Sequence, residues 1–198
     1  MAWAQNWELG AAGVYSYYKN ATITTSNPAG SATAGFDSAG GFSASFGEQL
    51  YNHVGGEFRY TFLLNKLKLS GNGQSVTRDA HEHAVHYDVL FYAKGRNARI
   101  RPFLAGGGGI RLFSGTGVEQ AAQPLNRFAA LTHTNQLKPL VSAGGGVLFK
   151  ISKHALFRVD FRDYISPIPE SVISPAPGAR LKGVLNDFVG FGGVSYTF

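Results

Sequence analysis

The sequence predicts an all-β protein: an eight-stranded antiparallel up-and-down barrel. Three observations carry that prediction. Apolar residues recur at every second position through most of the chain, the period of a strand with two unlike faces, and no stretch keeps helical spacing. The connections between these stretches are long and short in turn. Glycine makes up 26 of 198 residues, against a usual share of about 7%, and charged residues are 15%, where a soluble domain carries about 25%.

The first strand is predicted over Trp7 to Lys19. Trp7, Leu9, Ala11, Gly13, Tyr15 and Tyr17 share one face, and Glu8, Gly10, Ala12, Val14 and Ser16 the other. The second, Ala39 to Phe46, alternates Phe42, Ala44 and Phe46 with Ser43 and Ser45. The third, Val54 to Leu64, sets Val54, Phe58, Tyr60, Phe62 and Leu64 against Glu57, Arg59 and Thr61. In the fourth, His83 to Ala93, Val85, Tyr87, Val89 and Phe91 oppose His86, Asp88 and Tyr92.

The fifth strand is Arg101 to Phe113, and the sixth, Gln136 to Ile151, carries Val141, Val147 and Phe149 opposite Lys138, Ser142 and Lys150. The seventh, Ala155 to Tyr164, opposes Phe157, Val159 and Phe161 to Arg158, Asp160 and Arg162. The eighth ends the chain, with Phe188, Val194, Tyr196 and Phe198 against Asp187, Ser195 and Thr197. Long loops are expected over Asn20 to Ser38, Asn65 to His81, Ser114 to Asn135 and Ile165 to Leu185. Short turns are expected over Gly47 to His53, Lys94 to Arg99 and Ser152 to His154. All long loops then lie at one end, and all short turns at the other with both termini.

Alternation alone does not say which face points outward. A soluble, lipocalin-like ligand-binding barrel is apolar inside; a membrane barrel is apolar outside with a polar lumen. The apolar faces carry almost no charge, and their aromatics Tyr15, Tyr17, Phe62, Phe149, Phe188 and Tyr196 gather toward strand ends, where a bilayer has its interfaces. The polar faces hold charges of both signs at similar depth, which suits mutual pairing in a narrow lumen. A transmembrane barrel is therefore predicted, and the soluble barrel kept as an alternative. Ala2-Trp3-Ala4 matches the small-residue pattern before a signal-peptidase cut, so residues 1–4 are expected to be the remnant of an export signal and residues 5–198 a single barrel domain.

The ending Val194-Ser195-Tyr196-Thr197-Phe198 resembles the C-terminal strand of bacterial outer-membrane β-barrels, and "VGGEFRYTF", "RPFLAGGGG" and "VDFRDY" extend the resemblance to the OmpA-type eight-stranded outer-membrane barrel family. That resemblance implies a bacterial outer-membrane location, short periplasmic turns and long extracellular loops. It implies contact with outer-membrane lipid and lipopolysaccharide, and a monomer. It also implies that Phe198, Tyr196 and Val194 form a signal read by the barrel-assembly machinery.

The remaining motifs argue against catalysis and cofactors. The runs Ala105 to Gly109 and Ala143 to Gly146 lack the Gly-Lys-Ser/Thr and the helix of a phosphate loop; in strands they permit coiling or leave lumen space for bulky neighbours. His81, His83 and His86 miss the zincin spacing, and on a strand His86 faces away from the other two, so no metal site is expected. His133 with Asp163, Asp187 or Glu170 is the one conceivable rim grouping. A net charge of +6 comes without a basic stripe, and no nucleic-acid partner is expected.

The informative charges are those predicted for the lumen: Glu57, Arg59, Asp88, Arg158, Asp160 and Arg162. The third and seventh strands are diametrically opposite in a ring of eight, and both charge sets begin just above a short turn. Glu57 and Arg158 are expected to pair across the lumen, with Asp88 beside Arg59. The expected function is structural or surface interaction with a plugged, charge-paired lumen. The alternative is a narrow ion channel or a carrier of a small apolar ligand.

Overall fold

The computed structural model describes residues 6–26, 29–117, 123 and 125–198; the expected export-signal remnant, residues 1–4, lies outside them. Among the described residues all regular structure is strand. Eight strands close a ring: β1 (Asn6–Lys19), β4 (Ala39–Gln49), β5 (Val54–Gly71), β6 (Gln74–Tyr92), β7 (Ile100–Gly115), β9 (Asn135–Lys150), β10 (Ala155–Pro167) and β13 (Val184–Thr197). Each pairs antiparallel with the next, and β13 returns to β1 from Glu8↔Thr197 to Lys19↔Asn186. Closure leaves no free edge in the ring.

The sides are as the charge pattern requires. Leu9, Phe42, Phe58, Leu104, Val141 and Val194 stand on the outer wall, each about half exposed or more. Glu57, Arg59, Asp88, Arg158, Asp160 and Arg162 are buried inside it. A soluble barrel has the opposite polarity, because water cannot compensate so continuous an apolar surface.

Two expected loops are strands instead. Asn20 to Ser38 folds as a hairpin of β2 (Ala21–Ser26) and β3 (Ala29–Phe36), with β3 continuing the sheet onto the upper part of β5 from Phe36↔Leu67 to Thr33↔Ser70. Asn65 to His81 is no loop: β5 and β6 run on to Gly71↔Gln74 and turn on Asn72 and Gly73, whose φ values of 51° and 74° are those of a two-residue hairpin turn. Asn-Gly supplies that left-handed conformation at little cost. The signal is overlooked when strand limits are drawn from apolar outward residues alone, because the outward residues here become Lys66 and Lys68.

Above the ring the polarity reverses. Leu67 and Leu69 of β5 point inward and pack with Ile23, Phe36, Phe113, Phe128 and Leu185 in an apolar core, while Lys66 and Asp79 face solvent. Two short strands, β8 (Ala129–Leu131) and β11 (Ile173–Pro175), pair over this core, and β12 (Ala179–Lys182) adds to β2. The long-loop end is thus a folded cap with a core of its own.

Candidate functional site: the charged lumen

Inward positions along β5 read Glu57, Arg59, Thr61, Leu63, Asn65 and Leu67 from the short-turn end upward; along β6 they descend from Glu82 through Ala84, His86 and Asp88 to Leu90 and Tyr92. The pleat places these side chains in layers across an interior just wide enough for side chains to fill it.

All six charged residues singled out from the sequence meet in the lower layer, as three arginines and three carboxylates. Arg158 of β10 reaches across to Glu57, with Nη2 donating to Oε1 at 3.2 Å and Nη1 paired to Oε2. Arg59 bridges Glu57 Oε1 at 2.8 Å and Asp160 Oδ2 at 2.9 Å. Arg158 Nε donates to Asp160 Oδ2 at 2.7 Å, and Arg162 pairs with Asp88. Asp88 therefore serves Arg162, and Arg59 faces His86 in the strand register, a correction to the expected Asp88–Arg59 neighbourhood. These side chains are at most 9% exposed. Arg59 also lies over the Phe191 ring at 4.3 Å, and Arg158 over Phe103 at 4.8 Å. Balanced charge and bonded carboxylates are what allow ions to persist out of water.

The glycine runs make room for this layer. A Cβ on Gly144 would lie 2.8 Å from Arg162 Cδ and against the Phe161 carbonyl, and one on Gly107 would meet Asp88 and the Tyr87 carbonyl. β7 and β9 are stripped of side chains where β6 carries Asp88 and His86 and β10 carries Asp160 and Arg162.

His86 joins the lower layer to the next. Its Nδ1 lies 3.1 Å from Asp88 Oδ1 and its Nε2 2.7 Å from the Tyr164 hydroxyl, which in turn lies 3.3 Å from Thr61 Oγ1. Tyr164 packs with Val14, Leu63, Ala84, Leu140 and Val189 in an apolar layer across the lumen. His81 and His83 are on the outer face, where the Tyr60 hydroxyl meets His83 Nδ1 at 2.7 Å.

Sequence reasoning missed a second ionic layer. Arg111 of β7 binds both oxygens of Glu82, with Nη2 2.8 Å from Oε2, and also pairs with Asp187. The Tyr18 hydroxyl donates to Glu82 at 2.9 Å, and Asn65 Nδ2 donates to Tyr18 at 2.9 Å. The expected start of strand four, at His83, stops one residue short of Glu82; continuing the Asp88–His86 parity upward finds it. Asp187 thus lies in the lumen and not at the rim, while Asp163 faces outward, held by Asn186 Nδ2 at 2.9 Å, and His133 and Glu170 are exposed. Asp163 and Asp187 stand on opposite faces of the wall, so the two cannot serve one rim site together with His133.

At the seam, Phe198 and Trp7 exchange backbone hydrogen bonds of 3.0 and 3.1 Å. Val194, Tyr196 and Phe198 project outward, each more than half exposed, with the two rings stacked at 6.4 Å.

No family model and no curated protein matches the chain. Solved structures do. The outer membrane protein OprG from Pseudomonas aeruginosa is 14% identical, with a TM-score of 0.64 over 98% of this chain and 96% of its own. Neisserial surface protein A is 13% identical, with a TM-score of 0.56 over 97% of both chains. AlkL, an outer membrane protein studied in lipid bilayers, is 13% identical, with a TM-score of 0.53 over 96% of this chain and 90% of its own. At such identities the likeness is one of fold: this chain has the eight-stranded barrel of outer-membrane proteins.

Proposed function

We propose that this chain is an integral barrel of a bacterial outer membrane, of the OmpA-type kind, whose role is structural and surface-directed rather than catalytic. The observation that carries this reading is the stack of layers across the lumen: an ionic layer around Glu57 and Arg158, an apolar layer at Leu63 and Tyr164, an ionic layer at Arg111 and an apolar cap. An open pore needs a wet path, and four successive layers of buried side chains oppose one. The short turns face the periplasm, and the capped end is displayed outward among lipopolysaccharide. The barrel acts as a monomer, and Phe198 with Tyr196 and Val194 serves the assembly machinery.

Ion conductance in a planar bilayer tests the plug. The folded barrel is expected to give no sustained current, and a steady ohmic current in the wild type overturns the reading. Deleting Phe198 tests the assembly role. Surface display in cells should fall sharply while folding in detergent persists; normal display removes that role.

A second reading, a carrier of a small apolar ligand, has one observation in its favour. The outer wall has a shallow, open apolar face lined by Tyr15, Val147, Phe149 and Phe161 with Gly13, Gly190 and Gly192 between them. Saturable binding of a naphthalene probe that Gly192→Leu abolishes would favour it.

A further inference from the structure

Beneath the Glu57–Arg158 pair the lumen opens toward the short turns as a cavity of about 170 Å³. One side is cationic: Arg96, Arg101, Lys150 and Lys153 line it, against Glu8 and Glu48. Arg101 is the anomaly. It is 7% exposed, and its Cζ lies over the Tyr92 ring, 3.9 Å from the centroid. Its Nη2 donates to Gln49 Oε1 at 3.1 Å and its Nε to the Lys94 carbonyl at 3.4 Å. Arg59, Arg111, Arg158 and Arg162 each bind a carboxylate. Arg101 binds none among the described residues, and its Nη1 has no protein partner there. Arg101 faces the cavity with Glu8 acting on it only at a distance and no direct ion pair, which leaves its planar fork open to an anion. The other side of the cavity is apolar, formed by Leu90, Leu148 and Leu156.

We propose that this vestibule binds a small organic anion: a carboxylate or phosphate monoester with a compact apolar body. The anionic head sits on the Arg101 fork, whose planar donors match two oxygens of either group, and Arg96 and Lys150 add charge. The body lies against Leu90, Leu148 and Leu156. Entry and exit are through the same mouth, so the site stands whether or not the barrel conducts.

Calorimetric titration of the folded barrel in zwitterionic micelles tests this, with benzoate, phenyl phosphate, inorganic phosphate and neutral benzyl alcohol as probes. Benzoate and phenyl phosphate are expected to bind saturably at one site, inorganic phosphate more weakly, and benzyl alcohol not at all. Arg101→Gln, which keeps a planar group beside Gln49 but no charge, should weaken both organic anions about tenfold or more. Lys66→Gln at the opposite end should change nothing. Glu8→Gln removes an opposing charge and should tighten binding by about threefold, a result that does not depend on the arginine variant folding. Equal affinity in wild type and a folded Arg101→Gln, no response to Glu8→Gln, or equal binding of benzyl alcohol overturns the proposal. Phosphate binding as tightly as phenyl phosphate would remove the role given to the apolar wall.

Discussion

The lower and upper halves of β5 obey the same pleat and opposite solvents. From Glu57 to Phe62 the inward residues are Glu57, Arg59 and Thr61, and the outward ones Phe58, Tyr60 and Phe62, with Leu63 and Asn65 inward in the layers between. From Lys66 to Ser70 the inward residues are Leu67 and Leu69, and the outward ones Lys66 and Lys68. The change comes within a few residues, without a bulge or a break in pairing to β6. One strand thus crosses from a wall facing an apolar exterior into a wall facing water. The level at which polarity inverts marks where an apolar medium ends, which no single helix or hydropathy peak marks in this protein.

Four experiments break or sharpen this contrast. The largest effect is expected in the lower lumen. Glu57→Ala leaves Arg158 and Arg59 under-compensated, and breaking a buried pair typically costs about 3–5 kcal/mol. A double-mutant cycle of Glu57→Ala with Arg158→Ala, read by unfolding in lipid vesicles, should show strong coupling; additive losses would deny that the pair acts as a unit.

Next is the apolar core of the cap. Leu67→Ala removes a fully buried side chain and should cost about 2–5 kcal/mol. The loss should appear as local opening of the β5–β6 tip in hydrogen exchange while the ring stays protected. Ring and tip exchanging together would make the two halves one cooperative unit.

The outer wall comes third. Val141→Arg, on the lipid-facing side, should cost about 2–4 kcal/mol near mid-membrane. Its neighbour Ser142, on the lumen side, should tolerate Thr far better, and equal penalties would mean that inside and outside are exchanged. Smallest is Lys66→Leu, one residue before Leu67 and above the inversion. An exposed position away from packing should move stability by no more than about 0.5 kcal/mol. A gain comparable to the Val141→Arg loss would raise the upper edge of the apolar medium past Lys66.

Alternation by itself determined the ring. Period two fixes the strands, because a pleated strand exposes alternate residues whatever it packs against; the charge-free apolar faces add their sidedness, and the connections, long and short in turn, the antiparallel meander. The same parity brought Glu57, Arg59, Asp88, Arg158, Asp160 and Arg162 to the lumen side, and strand order made Glu57 face Arg158. Tertiary structure decided the rest. Glu82, Arg111 and Asp187 come from three strands whose relative heights depend on barrel shear, which a single strand's pattern does not contain. The cap was invisible for a related reason: above Leu64 the outward residues turn polar, and an inward Leu67 or Leu69 identifies itself as core only when β2, β3 and the loops fold over it. Arg101 shows the same limit. Its sequence neighbourhood is an ordinary strand start, and its lack of a carboxylate is a property of what the closed ring sets around it.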